Sequence, residues 1–122
     1  MGVCLSLGVR VVSGHSAGGH LAALSALDPR YLRARGLAPR SLGGVVGISG
    51  SYHLGFAGFE DAFGRDRQAR RDASPGAHAE HQPATAVPPF LLLPAERDPR
   101  WLSLSARTLR RALAAAGVHI DK

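Results

Sequence analysis

The chain has 122 residues, room for one domain with a buried core, and its 45% hydrophobic and 20% charged residues are those of a globular protein. Its net charge of +6 comes from fourteen arginines and one lysine, scattered without aromatic interleaving, which argues against a nucleic-acid-binding surface. No apolar stretch approaches the length of a membrane span, so neither nucleic acid nor membrane is expected as a partner.

In chain order, Met1-Gly2-Val3-Cys4-Leu5-Ser6 matches an N-myristoylation pattern but lacks the charged start of a secretory signal. These residues lead straight into an apolar run and are read as core. The single cysteine, Cys4, excludes an internal disulfide and fits a reducing, cytoplasmic setting. Residues 7–13 (LGVRVVS) then read as a short buried strand, and residues 21–27 as a helix stopped at Asp28-Pro29.

Between that strand and helix stands Gly14-His15-Ser16-Ala17-Gly18-Gly19-His20. It contains Gly-x-Ser-x-Gly, a turn that forces the serine into a strained backbone conformation and leaves its hydroxyl projecting alone above a sheet. Gly14 and Gly18 remove side chains that would collide across such a turn. Strand, turn and helix in that order are the context the motif requires, which makes Ser16 a candidate nucleophile.

A polar connection over residues 28–41 holds Pro29, Gly36 and Pro39. Residues 42–49 (LGGVVGIS) form a β-branched run that reads as a second buried strand. Residues 50–89 read as a long irregular stretch with a short helix around residues 60–63. The third strand, residues 90–93, is bounded by Pro89 and Pro94. The last helix is the clearest periodic element: Leu102, Ser105, Ala106, Leu109, Leu113 and Ala116 form one face, and Arg107, Arg110 and Arg111 fall opposite. Gly117 caps it, and residues 118–121 begin a fourth strand. The alternation predicts an α/β fold: one partial domain of about four parallel strands and three helices, with helices on both faces of the sheet.

Beyond the turn, the order of features resembles the esterase/lipase branch of the α/β-hydrolases, nearest to kynurenine formamidase (arylformamidase) and feruloyl-esterase-like hydrolases. The resemblance rests on the segment from Gly14 through Ala22, on Gly47-Ile48-Ser49-Gly50-Ser51-Tyr52-His53-Leu54, and on Phe63-Gly64-Arg65-Asp66. It continues through Ala73-Ser74-Pro75, Pro88-Pro89-Phe90-Leu91-Leu92-Leu93, Glu96-Arg97-Asp98 and the final helix with its Ala-Ala-Gly-Val ending. It implies a serine hydrolase that cleaves a carboxylic ester or aryl-formamide through an acyl-enzyme on Ser16, without a cofactor or metal. The Ala17 backbone N–H would be an oxyanion-hole donor, and Asp98 the acid that orients a catalytic histidine.

The chain departs from that pattern in three places. Pro94-Ala95 precedes Glu96-Arg97-Asp98 where the family loop usually has glycine. Only fifteen residues precede Ser16, which leaves no room for an HGGG-type loop, and His119 falls inside the last strand instead of beyond it. The expectation is therefore the C-terminal half of such a hydrolase, completed by a second copy or by a complementing half-domain.

Several other residues invite a functional reading. His15 and His20 flank the turn, where such positions line the pocket or support the backbone. Tyr52 and His53 follow the second strand at its C-terminal end, where α/β sheets bind ligands, and with His15 are candidate substrate contacts. His78-Ala79-Glu80-His81 lacks metal-site spacing and reads as a loop. Trp101 reads as core or as a lid contact.

Overall fold

A computed structural model describes residues 2–6, 9–54 and 63–121. The sheet has five strands in the order β1 (Gly2–Ser6), β2 (Val9–His15), β3 (Gly44–Ile48), β4 (Phe90–Leu93) and β5 (Ile120–Asp121). The pairs from β2 to β5 are parallel, giving the four parallel strands expected. The opening residues add a fifth strand. β1 pairs antiparallel with β2, with Cys4 opposite Val11, so among the described residues the opening segment is an edge strand of the sheet.

The first helix starts earlier than its apolar periodicity suggests. α1 (Ala17–Leu27) begins directly after Ser16, because Gly18 and Gly19 belong to its first turn. The Asp28-Pro29 stop is also a start: the Asp28 side chain accepts the Arg30 N–H at 3.1 Å and Pro29 opens α2 (Pro29–Arg33). Within the stretch read as irregular, Asp66 caps α3 (Arg67–Asp72), and Pro75 opens α4 (Pro75–Ala79). These turns are hidden in the sequence because each is too short to show a repeating apolar face. The helix expected around residues 60–63 lies outside the described residues except for Phe63.

The final helix, α5 (Arg100–Ala115), buries Ser105, Ala106, Leu109 and Leu113 as its spacing predicts. Leu109 and Leu113 are each 0% exposed, a burial that contributes about 1.5–3 kcal/mol per side chain. Arg110 is half-buried, and its Nη2 donates to the Leu92 carbonyl at 3.1 Å, tying the helix to β4. At the helix end Gly117 takes φ +83°, which lets the Val118 N–H reach Leu113 O at 2.9 Å and its own N–H reach Ala114 O at 3.0 Å.

Alternation along the strands sends Val12, Val45, Phe90 and Leu92 to one face of the sheet, where they form a core with Ala22, Ala23, Ala26 and Leu27 of α1 and Leu109 and Leu113 of α5. The opposite face carries Val11, Val46 and Leu91, half-buried, with Ile48 and Leu93 exposed. The strand–helix alternation predicts helices on both faces. Among the described residues both long helices pack on one face, because right-handed crossovers between parallel strands taken in sequential order all fall on the same side.

Candidate active site

Ser16 occupies the turn between β2 and α1 with φ 56° and ψ −117°, a backbone region that costs a non-glycine residue roughly 1–3 kcal/mol. Its N–H donates to Ile48 O at 2.8 Å, and its carbonyl accepts the His20 N–H at 3.1 Å. These two bonds fix the turn from the sheet side and the helix side. A serine at a helix N-cap normally turns its hydroxyl back onto the first-turn N–H groups. Here it makes no such bond and stands exposed at the positive end of α1, whose first turn carries no acidic residue.

The turn is possible because strand and helix backbones nearly touch. A Cβ on Gly14 would collide with the Gly18 carbonyl and lie 2.8 Å from Gly19 N. A Cβ on Gly19 would lie 3.2 Å from both Gly14 O and Gly50 Cα.

Ser16 and Ala17 open into a cavity of about 290 Å³, with Leu54, Phe63, Trp101 and Leu102 as apolar walls and Ser51 as a polar one. His20 closes one side. Its Nε2 lies 2.7 Å from Ala73 O, so that nitrogen is the protonated donor, and its ring meets Phe63 edge-on at 5.5 Å between centroids. Both contacts hold the His20 ring as a wall of the cavity, and that ring makes no hydrogen bond to Ser16.

Asp98 lies in the loop after β4 and lines an adjacent cavity that shares Trp101 with the first. Its Oδ2 accepts the Ser49 hydroxyl at 2.7 Å and the Ala95 N–H at 2.8 Å. Ser49 reaches it from a left-handed conformation, φ 50°, at the end of β3. The second oxygen, Oδ1, has no hydrogen bond among the described residues. Pro94-Ala95 thus still provides a backbone donor to the carboxylate.

The remaining candidates are not among the residues that line the Ser16 cavity. His15 is exposed at the end of β2. Tyr52 is 1% exposed, its ring fills the space that side chains on Gly47 and Gly50 would occupy, and its hydroxyl makes no hydrogen bond among the described residues. Burial raises the pKa of that phenol to about 12. Its backbone N–H donates a 2.8 Å bond to the Ser105 hydroxyl, which explains a serine on the buried face of α5. His53 packs on Gly76 and lines a separate cavity. His78 lies 2.7 Å from Asp72 O, and His119 lies 3.1 Å from Asp121. Among the described residues, no histidine ring is hydrogen-bonded to Ser16 or Asp98.

Sequence reasoning missed Ser51, Leu54 and Ser49 as parts of this region. The only signal was their place just past the C-terminal end of β3.

Burial holds the His53 imidazole below its ordinary value, against the opposing pull of Glu80. The folded state therefore resists a proton that the unfolded chain accepts near pH 6.5, so stability is full above that value and declines as pH falls toward the folded pKa. Melting temperatures of wild type and His53→Gln, measured from about pH 7.5 down to about pH 5, should diverge as the wild type loses this increment. Parallel curves would show that His53 carries no such linkage. Asp28 does not interfere in that window. Burial raises its carboxyl, but hydrogen bonds from Arg30, with the His78 and Arg30 charges, together bring it below its ordinary value.

No family model and no curated protein matches this chain. Solved structures do. An esterase from Pseudomonas putida matches at 26% identity and TM-score 0.62, covering 90% of this chain and 39% of that one. Carboxyl esterase 2 from Tuber melanosporum matches at 21% identity and TM-score 0.65, over 90% and 41%. The acylaminoacyl peptidase of Pyrococcus horikoshii matches at 17% and TM-score 0.62, over 90% and 18%. The chain has the α/β-hydrolase fold. It spans about two fifths of the length of the two esterases.

Proposed function

We propose that this chain carries the nucleophile half of a serine hydrolase acting on small carboxylic esters or aryl-formamides. The observation that carries the reading is Ser16 itself: a strained serine, free of any capping bond, at a helix N-terminus and open to an apolar cavity. Its Oγ would attack the substrate carbonyl as a base takes its proton. Charge on the carbonyl oxygen would be stabilised by the Ala17 N–H and the α1 dipole. The base would return the proton to the leaving alcohol or amine, and water would then release the acid from Ser16. The apolar walls formed by Phe63 and Trp101 beside Ser16 favour an aromatic ring or a short acyl chain.

Asp98, held by two donors and with Oδ1 open, is suited to orient a histidine base. Because no described histidine ring reaches it, that base would come from a second copy or from a complementing half-domain. The same observation favours one alternative, an incomplete hydrolase module that acts by association. Labelling with a fluorophosphonate probe separates the two. The hydrolase reading expects one label on the chain and none on Ser16→Ala. A folded sample that takes no label at any protein concentration would leave the module reading.

A further inference from the structure

A second cavity, of about 510 Å³, lies behind Leu54, which forms a wall of both this space and the Ser16 cavity. Arg67, Arg70 and Arg71 line it together with His53 and Ser74, and Glu80 is the only lining carboxylate among the described residues. The Nε of Arg70 and the Nδ1 of His53 are themselves buried beneath its surface, without a hydrogen-bond partner among the described residues, so a ligand would meet the other nitrogens of these side chains.

Among the described residues, the neighbouring aspartates of α3 are engaged elsewhere. Asp66 accepts the Gln68 backbone N–H at 3.2 Å, and Asp72 Oδ1 accepts the Gln68 side-chain amide at 2.9 Å. None of the three guanidinium groups is in an ion pair among the described residues. Among the described residues, three arginines and one carboxylate line a concave space with an apolar wall, an arrangement that favours an anion. Arginine forks match the paired oxygens of phosphate and carboxylate groups. The His53 ring is held in place by contact with Gly76, where any Cβ would collide with it.

We propose that this cavity binds the compact oxyanion group, a phosphate or a carboxylate, of a small molecule. The site stands apart from any chemistry at Ser16.

Titration calorimetry of the folded chain with inorganic phosphate and, separately, succinate tests it, with chloride holding ionic strength constant. Saturable binding of at least one anion is expected, and the tighter of the two assigns the group as phosphate or carboxylate. Arg70→Gln should weaken that binding about tenfold or more, as loss of a charge-assisted fork predicts, and Arg107→Gln, which lines the Asp98 cavity and not this one, should leave it unchanged. Should Arg70→Gln not fold, the exposed Arg67→Gln and Arg71→Gln carry the same expectation. Absence of saturable binding, or an equal loss in Arg107→Gln, would overturn the proposal.

Discussion

Gly14→Ala is expected to destabilise the fold by roughly 3 kcal/mol or more and to abolish reactivity at Ser16. The added methyl would meet the Gly18 carbonyl and lie 2.8 Å from Gly19 N, both backbone atoms of the first turn of α1. A side chain could rotate away. A helix terminus cannot move without breaking the 2.8 Å bond from Ser16 N to Ile48 O, or the contact of Gly19 with Gly50. Chemical denaturation of the variant checks this directly. A loss under about 1 kcal/mol would mean that strand and helix do not meet this closely.

Ser16→Gly should make the protein more stable while removing all labelling at the turn. The backbone at φ 56° and ψ −117° is open to glycine and strained for serine, so the substitution releases roughly 1–3 kcal/mol. Extra freedom in the unfolded chain offsets about 0.5–1 kcal/mol of that gain. Ser16→Ala keeps the strain and is the proper reference. Glycine in place of alanine ordinarily costs stability, so a Ser16→Gly variant more stable than Ser16→Ala by about 1–2 kcal/mol would reverse the usual sign. Equal stabilities would mean that the turn stores no strain. The comparison separates the backbone's contribution from that of the hydroxyl, since both variants lack the nucleophile.

The two substitutions probe one turn from opposite sides. Gly14 allows the backbones to approach, and that approach holds Ser16 in a conformation it would otherwise leave. The geometry of the turn is set at a cost in stability that the surrounding contacts must offset.

Much of this was legible in the sequence. The apolar runs at β3 and β4, the spaced leucines of α5 and the glycines around Ser16 act through local rules, since side-chain period and backbone freedom are properties of neighbouring residues. The strain at Ser16 followed from the same kind of rule. What only the tertiary structure decided depends on residues far apart in the chain. Asp98 is fixed by Ser49, forty-nine positions away, and Tyr52 is buried because Gly47 and Gly50 leave space for its ring. His53 falls on the opposite side of Leu54 from Ser16, although adjacent Tyr52 and His53 look alike as loop residues past a strand. The face of the sheet that each helix covers, and the edge strand formed by residues 2–6, were likewise settled by packing and pairing, which no local pattern encodes.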